Sequence, residues 1–307
     1  MGLSGATESA RLAWKGKDAD TRLFSAFAPA AASWQRQERA GDDRASGHGP
    51  ALATVQGLEG FLGRDVLMAW RGPDDDTRLF SSSHGLGGWA GQQAIGEDFR
   101  SSDGPSLSRV GQHLFMAWKV ADGVELVWSR FDGAQWLAPE PLAGGSSSHG
   151  PAIVGVGDQA VAAWKGQPGD SRVFFSVFDG RRWAPQQPAE GGGFGTAARP
   201  GLGFLRGVLM AWRGKDDDRR LFFSRLSSGR WGPQEPIRDG AFGSEHGPAL
   251  GRVDGRLVMV WRGTGPDTRM FQSFFDGRTW TGQEDVLQQG AGTSHAPALA
   301  SFVLLHP

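Results

Sequence analysis

Tryptophan recurs in this chain on a near-constant interval, and that interval restricts the available folds more than any other feature. Trp14, Trp70, Trp118, Trp164, Trp212 and Trp261 each follow Ala or Val, at separations of 56, 48, 46, 48 and 49 residues by subtraction. A second Trp comes 18 to 20 residues after each: Trp34, Trp89, Trp136, Trp183, Trp231 and Trp280. Twelve of the 13 Trp are placed by this rule, which excludes a chance alignment. Self-similarity at such a period indicates a propeller or a solenoid.

One unit, from Ser244 to Val286, runs HGPAL, a polar turn, LVMVWRG, an acidic turn, DTRMFQSFFDG and TWTGQEDV. It divides into four strands. Strand 1 is the HGPAL segment, for example Pro50 to Val55, with Pro at the first position where a missing N–H does least harm. Strand 2 is the apolar run into Trp, such as Val66 to Arg71, whose continuous hydrophobicity suits burial on both faces. Strand 3 covers segments such as Arg172 to Phe178, and strand 4 runs from the second Trp, as in Trp183 to Gln187. Between strands 3 and 4, Phe131-Asp132-Gly133, Phe178-Asp179-Gly180 and Phe275-Asp276-Gly277 predict tight hairpins in which both turn residues take positive φ.

The chain therefore reads as an all-β, six-bladed β-propeller of four-stranded antiparallel blades, one domain over residues 1–307. The first unit enters at strand 2, whereas Ser294 to Ala300 is a strand 1 with no Trp strand after it. The C-terminal strand is thus expected to join the N-terminal blade and close the ring without an orphan edge. An open solenoid would need capping repeats of unlike sequence, and none is seen. Extra residues around Gln56 to Arg64 enlarge one turn between strands 1 and 2.

In an antiparallel meander the 4→1 and 2→3 connections share one end. That end collects His48, His149, His246 and His295 from the 4→1 loops. From the Trp-cation-Gly turns it collects Trp14, Lys15, Asp20 and Arg22; Trp70, Arg71, Asp76 and Arg78; Trp164, Lys165, Asp170 and Arg172. Trp212 and Arg213, then Trp261, Arg262, Asp267 and Arg269, complete the candidate ligand-binding set. An indole beside charged donors and acceptors suits a saccharide, which has an apolar face and a rim of hydroxyls. Each element has a plainer reading too. The Trp can pack between blades, the Asp-x-Arg turns can be charge-balanced hairpins, and a His can bond a neighbouring loop carbonyl. The second Trp and the FDG turns read as structural.

Composition narrows the function. A net charge of −1 argues against a nucleic-acid or anionic-membrane partner. The absence of Cys removes disulfides, thiolate metal sites and Cys nucleophiles. Asp74-Asp75-Asp76 and Asp216-Asp217-Asp218 could attract calcium, but the turns are short and flanked by Arg, so neither metal nor cofactor is expected. No apolar run approaches the roughly 18 residues of a spanning helix. Lacking a basic and apolar leader, the chain is expected to be cytoplasmic, with a non-classical route for any release.

The repeat S-x-H-G-P-A-L … L-M-A-W-R-G … D-T-R-L-F-x-S-x-F-D-G-x-x-W resembles that of the bacterial propeller lectins typified by the Photorhabdus lectin family, with six repeats rather than seven. Six-bladed fungal fucose lectins embody the same idea with a different repeat. The resemblance implies a lectin with pockets between blades for fucose or O-methylated sugars, and glycans as partners. Repetition would raise avidity on a glycan-covered surface. Blade III has Asp103 in place of His and the altered turn Lys119 to Glu125, and blade V has Ala198, so three to five working sites are expected. Homo-oligomerisation is left open by the sequence.

Two other classes remain. A protein-interaction propeller would vary its face from blade to blade, whereas these polar residues repeat. A glycoside hydrolase would need a unique acid pair. A sialidase would need a Tyr nucleophile, and the chain has no Tyr.

Overall fold

The computed structural model describes residues 7–29, 33–189, 193–287 and 290–304, and in it the repeats form six antiparallel sheets in a ring. From the axis outward, blade I is Ala298–Leu304, Thr7–Lys15, Leu23–Ala28 and Glu38–Arg39. Blade II is Ala51–Thr54, Arg64–Arg71, Leu79–Gly85, and the two pieces Gly88–Trp89 and Gln93–Ala94. Blade III is Ser106–Val110, His113–Lys119, Glu125–Phe131 and Glu140–Ser146; blade IV is Ala152–Val156, Gln159–Lys165, Val173–Phe178 and Gln187–Pro188. Blade V is Gly201–Phe204, Val208–Arg213, Leu221–Ser227, and the pieces Arg230–Trp231 and Glu235–Pro236. Blade VI is Ala249–Val253, Arg256–Arg262, Met270–Phe275 and Glu284–Asp285.

Closure is as expected. Ala298–Leu304 pairs antiparallel with Thr7–Lys15, in a register running from Thr7↔Leu304 to Ala13↔Ala298. Innermost strands of successive blades touch all the way round, and the last meets the first.

The second strands supply the core, because they are covered on both faces. Their Trp residues are at most 1% exposed. Two, Trp212 and Trp261, are sandwiched between the Phe opposite them on strand 3 and a Phe from the preceding 4→1 loop. Trp212, for example, stacks on Phe222 at 6.3 Å and on Phe194 at 4.7 Å. At 150–250 Å² of buried surface per indole, each such Trp contributes roughly 4–6 kcal/mol before entropy.

The outer strand departs from expectation. Strand 4 does not run continuously from the second Trp; in blades IV and VI the Trp makes only an isolated bridge, Phe178↔Trp183 or Phe275↔Trp280, before a two-residue strand. Pro185 in blade IV removes a ladder donor, and short outer segments present little unpaired edge to other chains. A hydroxyl holds the gap closed: Ser176 Oγ donates to Ala184 O at 2.6 Å, and Ser82, Ser129, Ser224 and Ser273 repeat the bond. The FDG hairpins also differ. Only Gly takes positive φ, 107° at Gly133, while the Asp132 carboxylate accepts from the N–H groups of Ala134 and Gln135.

The enlarged turn in blade II is a run of tight turns that buries Leu58 and Phe61 and rests Phe61 on Phe131 of blade III at 4.9 Å. Among the described residues no helix is long and apolar enough to cross a membrane.

Candidate functional site

The 2→3 turns and 4→1 loops do share one end of the ring: Lys15 Nζ donates to Ser294 Oγ at 2.9 Å, and Arg262 Nε to Thr293 O at 2.9 Å. The residues expected to form repeated sugar plates there are nevertheless separated into three layers.

The first layer is buried. Lys15, Arg71, Lys165, Arg213 and Arg262 are between 3% and 9% exposed. Their charges are spent on loop carbonyls and hydroxyls. Arg71 donates to Ser101 O, Gly72 O and Asp74 O, and Lys165 to Ser148 Oγ and Asp170 O. These cations pin the 2→3 turn to a 4→1 loop. Trp14, Trp70, Trp164, Trp212 and Trp261 lie beneath them with no ring face open. Their expected role as sugar plates is corrected to core packing, because an indole at most 1% exposed has no face free for a ligand.

The second layer is exposed. Asp20 and Arg22, Asp76 and Arg78, Asp170 and Arg172, and Asp267 and Arg269 form bidentate pairs within each turn, with closest N–O distances of 2.6 to 2.8 Å. Asp218 and Arg220 make a fifth pair at 2.7 Å. Each Arg lies over a strand-3 Phe, as Arg78 does over Phe80 at 5.1 Å from the centroid. Hydrogen bonds from these Arg hold the five carboxyls below the usual carboxylate range, against a smaller opposing push from burial. The Gly after each cation is required by this pairing: a Cβ on Gly72 would sit 2.7 Å from Asp76 Cγ.

The third layer is the axis. The 4→1 loops carry His48 to within 5.4 Å of His295 and His246 to within 5.5 Å of His295, centroid to centroid. Asp103, at the same repeat position, lies 4.0 Å from His48. His149 Nδ1 is 3.0 Å from Ser148 Oγ. The His therefore crown the central channel rather than joining the Asp–Arg pairs. The groove between blades V and VI is lined by Arg220, Asp267 and Arg269 and by no His.

Sequence reasoning missed a fourth location, the clefts between blades. Each strand-4 Trp leans onto strand 3 of the preceding blade, at a position occupied in turn by Ser25, Ser81, Trp128, Phe175, Phe223 and Gln272. Three of these are aromatic, and there the cleft is filled: Trp183 meets Trp128, Trp231 meets Phe175 and Trp280 meets Phe223, all edge to face at 5.7 to 5.9 Å. The other three are polar and adjacent round the ring. Trp34 Nε1 donates to Gln272 Oε1 at 2.7 Å beside Glu284, at the rim of a groove of about 710 Å³ between blades VI and I. Trp136, Ser81 and Gln93 line one of about 800 Å³ between blades II and III.

The cleft between blades I and II is the most polar. Trp89 Nε1 donates to Ser25 Oγ at 3.1 Å. Arg11, 5% exposed, stands where other blades have Leu67, Phe115, Val161, Leu209 and Val258. It pairs with Glu38 at 2.8 Å and lies over Phe27 and Trp89. His84 replaces Phe131, Phe178, Leu226 and Phe275, and sits edge-on to Trp89 at 5.2 Å. Arg44 replaces Phe99, Phe194 and Phe242, and donates to Ala90 O. Arg11 Nε, Arg44 Nε and Nη1, and His84 Nδ1 are buried without a hydrogen-bond partner. Burial, and secondarily Arg11, pushes the His84 imidazole below its ordinary range. These breaks in the repeat, apolar in every other blade, were the readable signal.

The architecture has known counterparts. A fucose-specific lectin from Aleuria aurantia superposes with a TM-score of 0.61 at 11% identity, over 90% of this chain and 94% of that one. A mutant of AofleA from Arthrobotrys oligospora gives 0.64 at 13% identity, over 97% and 90%. An α-L-arabinofuranosidase from Clostridium thermocellum gives 0.51 at 12% identity, over 80% and 96%. No family model matches the sequence, and no curated protein does. At these identities the shared property is the fold, and this chain is a six-bladed β-propeller.

Proposed function

We propose that the protein is a glycan-binding lectin whose sites are the three polar clefts, VI/I, I/II and II/III. The observation that carries this reading is the I/II cleft. Arg11 and His84 stand there beside Trp89 and Glu38 at positions that are apolar in the other blades, and Arg11 Nε and Arg44 Nη1 are buried without an acceptor. Buried donors without partners are rare in native proteins, and a ligand rich in hydroxyls would satisfy them. A guanidinium and a carboxylate around an aromatic face suit fucose or an O-methylated sugar, whose methyl group takes the apolar side. The likeness to a fucose-specific lectin supports the same class.

Three clefts on one molecule would provide multivalency, at places other than the rim positions from which three to five sites were expected. Fully exposed Leu62 and Leu86 in blade II favour, as a second reading, a protein partner there.

A glycan array followed by calorimetric titration of the best fucosylated or O-methylated hit tests the proposal. Binding to the native protein, weakened at least about tenfold by Arg11→Met, is expected, since a lost charge-assisted bond costs about 1.5–3 kcal/mol. A silent array, with no glycan bound, returns the protein to the interaction-propeller class.

A further inference from the structure

The His crown is unused by the cleft sites, and the backbone does not require it. At all six repeat positions the turn is closed by a Ser or Thr two residues earlier, whose Oγ accepts from the backbone N–H. The bond is 3.1 Å at His48, 3.2 Å at Asp103, 3.0 Å at His149, 3.1 Å at Ala198, 3.2 Å at His246 and 3.1 Å at His295. Ala198 makes the same turn as the four His. Something other than folding therefore accounts for imidazoles at the axis.

Their surroundings are positive. Facing the four rings are the turn cations Lys15, Arg71, Lys119, Lys165, Arg213 and Arg262, against two carboxylates, Asp103 and Glu245. The turn cations are bonded to carbonyls and hydroxyls, and the turn carboxylates nearest them, such as Asp20 to Lys15 and Asp170 to Lys165, are themselves paired with Arg22 and Arg172. Arg199, where most blades have Gly, reaches across the mouth to Gly104 O at 3.1 Å and Pro105 O at 3.0 Å. Below the rings it lines a void of about 80 Å³, floored by strand-1 residues of all six blades, enough for water or one small ion. Asp103 already occupies part of this field, its carboxylate accepting from Gly104 N at 2.6 Å and Gly150 N at 2.7 Å.

The geometry points to a single axial oxyanion site, in which the His crown and Arg199 hold a phosphate, sulfate or carboxylate group and the imidazoles take up protons as it binds. Four imidazoles buried at the axis, and beside cations, resist protonation until an anion joins them, so anion and proton bind together. The site is independent of the clefts: there is one per ring, and it reads charge rather than hydroxyl pattern.

The test is an NMR titration of the His Cε1–H resonances in the native protein, with low-millimolar inorganic phosphate or with chloride at equal ionic strength. Phosphate is expected to raise the crown imidazole pKa values by at least about half a unit, with chloride inert. The triple variant H48A/H246A/H295A should keep its sugar binding, because Ala198 shows that the turn tolerates Ala, and should lose phosphate-dependent thermal stabilisation below pH 6. A sulfated or sialylated saccharide as second ligand separates the sources. If it shifts the resonances and phosphate does not, the oxyanion belongs to an acidic glycan. If neither does, or the triple variant responds as the native protein does, the axial site is overturned, whatever the array shows.

Discussion

The indole N–H of Trp34 donates to the side-chain oxygen of Gln272 at 2.7 Å, joining the first blade to the last across 238 positions of sequence. At the equivalent contact between blades V and VI, Trp280 meets Phe223 edge to face. One residue on strand 3 thus decides whether a cleft is open and polar or closed and aromatic.

Gln272→Phe should therefore convert the VI/I cleft to the closed kind. The lost hydrogen bond and the gained aromatic pair are each worth about 1 kcal/mol, so stability should change by less than that. Calorimetry should count one glycan site fewer. An unchanged count would remove the VI/I cleft from the set.

Arg11→Met should separate stability from binding. Replacing a buried ion pair with an apolar side chain of similar volume is commonly neutral or stabilising by about 1–4 kcal/mol. The Glu38 side chain is 54% exposed, so it stays hydrated when its partner goes. The urea midpoint should hold or rise while glycan affinity falls. A loss of more than about 2 kcal/mol would mean that Arg11 is structural, because a solvated partner accounts for less than that.

Trp164→Ala should cost about 3–5 kcal/mol, the range for deleting a buried large aromatic. Chemical denaturation measures it. A change under about 1 kcal/mol would place the indole outside the core, contrary to its 0% exposure.

Gly72→Ala should destabilise by about 1–3 kcal/mol through overpacking, because the new methyl meets the Asp76 side chain. Gly87→Ala, where a Cβ meets nothing within 4 Å, is the control and should be near neutral. Equal effects at the two positions would dismiss the Gly–Asp packing.

Acid should weaken the fold before the carboxylates titrate. Burial pushes His48, His149, His246 and His295 below the ordinary imidazole range, His295 to about 3. The unfolded chain then binds more protons than the native one below about pH 6.5, so stability is complete above that value and declines as pH falls toward the folded pKa. The lowered Asp pKa values act in the same direction, but only below about pH 4. Urea midpoints from pH 7 to 4.5 should fall, and His295→Ala should flatten the slope. A flat native profile would contradict buried neutral imidazoles.

The fold was readable because the repeat is dominated by residues with one structural task. Alternating Trp, the Pro-led strand 1 and the unmatched final strand define blades and closure without tertiary information. The site was harder. Trp-cation-Gly looked like a sugar plate because a buried Trp and an exposed Trp are the same letter, and only packing reveals Phe194 on one face of Trp212 and Phe222 on the other. His48 and Arg78 share an end of the ring but not a layer, since one loop points to the axis while the turn faces outward. The cleft residues were visible as exceptions: Arg11, His84 and Arg44 break apolar positions that every other blade keeps. Attention to repetition favoured the recurring letters, whereas the proposed cleft sites rest on the irregular ones.

The pairing of Ala298–Leu304 with Thr7–Lys15 also sets an order of events during synthesis. The first sheet leaves the ribosome one strand short and must hold its open side until Ala298–Leu304 has emerged. A ribosome stalled before codon 298 would leave that side bare on every nascent chain, a template for pairing with its neighbours on the same polysome.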